Sequence, residues 1–128
     1  MIKRLLILGG GSDIASALVS KLATAEASTN RLTHVVLAGR AGGSRDQAAT
    51  TLRTAHPDLD LETADFDGAD SSSHGPSLEQ MNRDHGPFDA VVVAFGQLGD
   101  EFTLDADPHA MAALANVNFA GAVSSCLA

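Results

Sequence analysis

A short aliphatic run that ends in glycines and passes at once into a helical stripe limits this chain more than any other feature. Leu5-Leu6-Ile7-Leu8 is apolar at every position, which suits a central parallel strand covered on both faces. It enters Gly9-Gly10-Gly11, and from Asp13 to about Thr24 the spacing becomes Ile14, Leu18 and Leu22, with Ala15 and Val19 beside them. That is one apolar stripe on a helix. The alternation recurs. Residues 34–38 read as a second strand, 39–44 as a loop, and 45–55 as a helix that Pro57 stops. Residues 59–64 read as a third strand, 70–77 as a surface loop, 76–83 as a short helix and 90–94 as a fourth strand. Residues 108–127 are Ala-rich and helical, with Pro108 in the first turn. The order β-α-β-α-β-α-β-α predicts an α/β fold: one domain built on a doubly wound parallel sheet, with right-handed crossovers and strand order 3-2-1-4.

Composition removes several alternatives. A net charge of −8 disfavours a nucleic-acid surface, which needs clustered Lys and Arg. Cys126 is the only cysteine, so neither an internal disulfide nor a Cys-based metal site can form, and a reducing, cytoplasmic compartment is expected. The longest uninterrupted apolar runs, 5–8 and 90–95, are too short to span a bilayer, so no transmembrane segment is expected. Lys3-Arg4 precede too few aliphatic residues for a signal-peptide core.

A strand that ends in glycines and opens into a helix makes an anion site. The first-turn N–H groups and the helix dipole both face the loop, and glycine lets the backbone approach closely. Gly9, Gly11, Ser12, Asp13 and Ile14 are the candidates. Leu8-Gly9-Gly10-Gly11-Ser12-Asp13-Ile14-Ala15 resembles the phosphate-binding fingerprint of the short-chain dehydrogenases/reductases, with Gly9 at the first glycine. Asp13 stands where the second glycine usually is, and Ala15 replaces the third. The resemblance implies a Rossmann-type fold and a nicotinamide cofactor. Asp13 is expected to cap the helix or pair with a base, turned away from the phosphates.

The residue after the second strand selects between the two nicotinamide dinucleotides: an acid bonds the 2′-hydroxyl of NAD, an Arg accepts the 2′-phosphate of NADP. Here Val35-Val36-Leu37-Ala38-Gly39 leads to Arg40, with no acid before Asp46, so NADP(H) is the expected cofactor. Each hydrogen bond to a charged group contributes roughly 1.5–3 kcal/mol. A solvated surface arginine is the alternative reading of Arg40, and Ser44 and Arg45 are candidate helpers. Asp65-Phe66 resembles the family's adenine-contacting pair, and Ala94-Phe95-Gly96 falls where the family has Asn-Ala-Gly beside the nicotinamide ribose.

Asn116-Val117-Asn118-Phe119-Ala120-Gly121 resembles the Val-Asn-x-x-Gly stretch of the family's fourth helix, which makes Asn118 the counterpart of its catalytic Asn. Asn116 is expected on a different, exposed face. Residues 91–100, with Phe-Gly-x-Leu-Gly-Asp at 95–100, together with the phosphate loop and Asn118 narrow the resemblance to reductases that act on decaprenylphosphoryl-2-keto-pentose in arabinan synthesis. That implies an oxidoreductase acting on a small-molecule or lipid-linked sugar.

The family's proton donor is the Tyr of Tyr-x-x-x-Lys, helped by a Ser. This chain has no tyrosine, and Lys21 is its only lysine beyond position 3. The five histidines read as surface residues, and Ser124 and Ser125 as helix residues with no base near them. The expectation is a cofactor-binding fragment, inactive alone. An apolar fourth strand at a sheet edge favours association, with a homo-oligomer among its outcomes. A dinucleotide-binding or sensor module without turnover is the competing expectation.

Overall fold

The computed structural model describes residues 1–97 and 107–128. Four strands, β1 (Arg4–Leu8), β2 (His34–Gly39), β3 (Asp60–Asp65) and β4 (Ala90–Val93), form one parallel sheet in the order β3-β2-β1-β4. Helices α1 (Asp13–Ala23), α2 (Gly43–Ala55) and α3 (Ser71–His85) connect them. A final helix, α4 (Pro108–Leu127), packs behind. The register runs Leu5↔Val35, Leu5↔Ala90 and His34↔Asp60. This is the expected topology.

The two-residue period of the strands divides the core. Leu5, Ile7, Val35, Leu37 and Leu61 face Ala15 and Val19 of α1 and Ala49 and Leu52 of α2. Leu6, Leu8, Val36 and Ala38 face the other way, onto Phe66 and Met81 of α3. Leu5, Ile7 and Leu8 are fully buried, each stabilising the fold by roughly 1.5–3 kcal/mol. The continuous aliphatic reading of β1 therefore reflects cover on both faces.

Three local expectations are corrected. Residues 70–77 are not a loop. Asp70 caps α3, its carboxylate accepting from the Ser72 amide and hydroxyl, so the serines form the first turn. Those bonds, with the Ser72 hydroxyl first, hold the Asp70 carboxyl below the usual carboxylate range. Pro76 sits inside α3, where it forfeits only the bond to the Ser72 carbonyl near an exposed helix end. Because α3 starts early, His74 turns inward and is fully buried, and His34 is buried at the start of β2, so neither is a surface residue.

Helix α4 holds a π-helical segment, Asn116–Gly121, between α-helical stretches Pro108–Ala115 and Ala122–Leu127. By length and composition alone it could cross a membrane, which the short uninterrupted runs did not suggest. In the fold it lies against the core: a Cβ on Gly121 would overlap the Gly68 carbonyl, and Ser125 is buried.

Candidate functional site

The chain leaves β1 toward β2 on one side and reaches β4 on the other. The carboxyl ends of β1 and β4 therefore flank the switch point where ligands of such sheets bind. A crevice of about 610 Å³ opens there. Its walls are the glycine turn, the β2–α2 loop, the loop after β3 and the exit of β4.

The glycine turn is pressed against three neighbours. Gly9 has φ +102°, and a Cβ there would lie 2.7 Å from the Ala94 carbonyl carbon and the Phe95 Cα. On Gly10 it would meet Leu37 Cβ at 2.6 Å, and on Gly11 it would overlap the Ser44 hydroxyl. Gly9 and Gly10 amides both donate to the Ala38 carbonyl (2.8 and 2.9 Å), so the turn is locked to β2. Gly10 lines the crevice with Gly9 and Gly11; its close approach to β2 is a tertiary fact that the sequence does not carry.

Ser12, not Asp13, caps α1: its hydroxyl accepts from the Ala15 amide at 3.3 Å. Asp13 and Ile14 are exposed, and neither lines the crevice. The Asp13 carboxylate is thus turned away, as expected, without capping the helix. What these two residues can offer a phosphate is their first-turn amides, which have no intrahelical acceptor.

Arg40 is exposed on the crevice wall and has no hydrogen bond or ion pair with a described residue. Beside it, Gly42 and Gly43 adopt positive φ (80° and 56°) to start α2, whose first turn brings Ser44 to the crevice. Arg45 cannot serve as a phosphate helper. It is buried, and its guanidinium donates to Asp46, to Asp65 Oδ1 (2.9 Å) and to the carbonyls of Gly39 and Ala64. Burial opposes its charge, but the bonds to Asp65 and Asp46 outweigh that and raise its pKa. Asp65, expected at the adenine, is therefore committed to Arg45 and does not line the crevice.

Phe66 does line it. It is buried and stacks on His74 (centroids 4.8 Å) and, tilted, on Phe95 (5.9 Å). Asp67, Gly68 and Ala69, not singled out in the sequence, complete this wall. A Cβ on Gly68 would meet the Phe95 ring at 2.8 Å. His74 Nε2–H donates to the Asp67 carbonyl at 2.9 Å, while its Nδ1 accepts from the Ser124 hydroxyl at 2.9 Å. Ser124 and Ser125 thus do have a base beside them, brought there by the early start of α3.

Phe95 and Gly96 line the crevice, and Ala94 does not. Asn118 clamps the backbone of Gln97: Oδ1 accepts from its amide (2.7 Å) and Nδ2 donates to its carbonyl (2.8 Å). Asn116 donates to the Ala69 carbonyl at 3.0 Å, so both asparagines of the π segment hold crevice loops. Leu98, Gly99 and Asp100, from the most specific part of the sequence resemblance, lie outside the described residues.

No protein-family model matches the chain. It is 34% identical over 118 residues to an uncharacterized oxidoreductase of Mycobacterium tuberculosis, covering 92% of this chain and 44% of that protein. It is 33% identical over 125 residues to an uncharacterized oxidoreductase of Streptomyces coelicolor, covering 98% of this chain and 47% of the relative. The chain thus spans less than half the length of these relatives.

Three solved structures share the fold over 98% of this chain. NADPH-bound carbonyl reductase from chicken fatty liver matches with TM-score 0.75 and 16% identity, over 46% of its length. A short-chain type dehydrogenase/reductase from Mycobacterium ulcerans matches with TM-score 0.71 and 18% identity, over 44%. A gluconate 5-dehydrogenase from Burkholderia cenocepacia, in complex with NADP and tartrate, matches with TM-score 0.73 and 25% identity, over 46%. The chain has the Rossmann fold of the short-chain dehydrogenase/reductase structures.

Proposed function

We propose that this chain is the cofactor-binding part of an NADP(H)-dependent oxidoreductase of the short-chain dehydrogenase/reductase type, reducing a keto group of a sugar, free or lipid-linked. One observation carries the reading: the glycine turn and the Ser12 cap of α1 share one crevice with Arg40, a cation unpaired among the described residues, where a carboxylate would instead select NAD. The residues fit the dinucleotide. A Cβ at Gly9 or Gly11 would fill the turn or its contacts, so the backbone itself forms the seat for a pyrophosphate. Arg40, with Ser44 and the amino end of α2 beside it, suits a 2′-phosphate. Phe66 and the Asp67–Ala69 loop form a wall on which an adenine can rest.

When bound, a reduced nicotinamide supplies hydride to a carbonyl. This chain's residues bind and orient. Gly9 and Phe95 fix the seat beneath the ribose, and Asn118 holds Gln97 in place. Asn118 is therefore a positioning residue, its side chain pairing with both the amide and the carbonyl of Gln97. No tyrosine is present in the 128 residues, so the family's usual proton donor is not among them. That observation favours a second reading, a dinucleotide-binding module without turnover. The sugar substrate rests on the resemblance of residues 91–100, taken with the phosphate loop and Asn118.

Fluorescence titration with NADPH and NADH tests the cofactor reading. NADPH should bind tighter by about one to two decades, as one charge-assisted bond of roughly 1.5–3 kcal/mol provides, and Arg40→Ala should erase most of that gap. No NADPH binding, or equal affinities that Arg40→Ala leaves equal, would end the reading. Carbonyl reduction assayed on this chain extended by about 120 residues, the rest of such a domain, separates enzyme from binding module.

A further inference from the structure

The amino-terminal end of the sheet, opposite the crevice, gathers four side chains of metal-ligating type. His34 is the first residue of β2, and its register partner Asp60 is the first of β3. Glu62, two residues further on, shares the face of Asp60. His85 ends α3, the helix packed over that face. We infer that His34, Asp60, Glu62 and His85 form a binding site for a divalent transition-metal cation that ties β2, β3 and α3 together.

The spacing fits. His34 Nδ1 lies 2.8 Å from Asp60 Oδ2, and His85 Nδ1 lies 3.0 Å from Glu62 Oε2. One donor atom each from His34, Asp60 and Glu62 falls within a 4.8 Å group, and the two imidazole rings stack with centroids 6.4 Å apart. Metal–ligand bonds of about 2.0–2.2 Å in a tetrahedral site place donor atoms roughly 3.4 Å from one another.

The His34 ring is buried with Nδ1 toward Asp60, so Nδ1 is the atom that would ligate an ion shared with Asp60, and the ring proton would then sit on Nε2, which has no hydrogen-bond partner among the described residues. Charge agrees. The ion pairs of Asp60 and Glu62 among the described residues are to these histidines. Arg4, the register neighbour of His34 on β1, directs its guanidinium to the carbonyls of His85 and Pro87. The two carboxylates carry two negative charges, which a divalent cation neutralises. Mixed imidazole and carboxylate donors suit Zn²⁺, Co²⁺ or Ni²⁺ better than the all-oxygen ions Mg²⁺ and Ca²⁺. Asp60 and Glu62 are partly solvent-accessible, which gives the ion a way in.

Zn²⁺ and Co²⁺ titrations of the whole chain test the site. Zn²⁺ should raise Tm, and Co²⁺ should give the visible d–d absorption of a site with nitrogen ligands. Glu62→Gln and His85→Gln should each weaken binding by about tenfold or more, whereas His109→Gln, at the exposed start of α4, should not. Far-UV circular dichroism establishes that each variant is folded. Absence of a Tm shift and of a Co²⁺ spectrum in the native chain overturns the site. So do Glu62→Gln and His85→Gln variants that bind as tightly as the native chain, since the ion would then sit elsewhere.

Discussion

The same substitution, glycine to alanine, should have three different outcomes at three positions of this fold. At Gly9 the backbone sits at φ +102°, and the added Cβ would come within 2.7 Å of the Ala94 carbonyl carbon and the Phe95 Cα. These are main-chain atoms at the exit of β4, and no side-chain rotation can clear them. The conformational penalty is about 1–2 kcal/mol, and the overpacking adds about 1–3 kcal/mol, for a total near 2–5 kcal/mol. At Gly43 φ is +56° and nothing lies within 4 Å of the added carbon, so only the conformational penalty of about 1–2 kcal/mol applies. At Gly75, inside α3, nothing lies within 4 Å and φ is not positive. Alanine there should be near neutral, because the helix-propensity gain of about 0.8–1.0 kcal/mol is offset by the crowding of its Cβ against the ring of Pro76, the next residue. Urea unfolding followed by circular dichroism reads all three, with the slope checked for constancy. A Gly9→Ala loss no greater than that of Gly43→Ala would refute the claim that the turn is squeezed against β4. A Gly75→Ala loss as large as that of Gly9→Ala would refute the open setting of Gly75 in α3.

Other outcomes follow from side-chain partners. Asp89 accepts from the Arg4 and Lys3 amides, which, Arg4 first, hold its carboxyl below the usual carboxylate range. A depressed folded pKa contributes stability above the unfolded carboxylate value, lost as pH falls through the folded one. Asp89→Asn should therefore lower urea stability near about pH 7 and converge with the native chain below about pH 3; curves that stay parallel would contradict this. Arg45→Met should cost roughly 2 kcal/mol or more, since several charge-assisted bonds vanish, while leaving NADPH preference over NADH intact; loss of that preference would return Arg45 to the phosphate site. Asn118→Ala removes both bonds to Gln97. It should speed amide exchange at Gln97 and weaken NADPH binding, with Asn118→Asp keeping the acceptor for the Gln97 amide and losing only the donation to the carbonyl. Unchanged exchange at Gln97 would show that the clamp does not form in solution.

The sheet was legible because its strands declare themselves locally. Leu5–Leu8 is apolar throughout since helices cover both faces, and the glycines stop it where the crevice begins. What stayed hidden depends on partners far along the chain. Ser71–Ser73 and Pro76 have loop composition, and only the cap by Asp70 and the packing of α3 make them helical. His74 and His34 look like surface residues in sequence and are buried by topology. Asp65 and Arg45 each had a plausible place at the cofactor, but their pairing with each other removes both. Arg40 remains because no described acid reaches it. Asn118 was identifiable by its resemblance to the family motif, whereas the grip of Asn116 on Ala69 depends on the π-helical path of α4.

The contact between Gly9 and the start of the segment after β4 has a consequence for transplanting this site. The first forty residues contain the glycine turn, α1, β2 and Arg40, and so look like a self-sufficient cassette. Yet one wall of their seat is built by main chain some eighty-five positions downstream. Spliced into a sheet whose neighbouring strand sits half an ångström nearer or farther, the cassette would keep every one of its own residues and still present a misshapen cup. The unit that must be inherited whole is the seam between two non-consecutive strands.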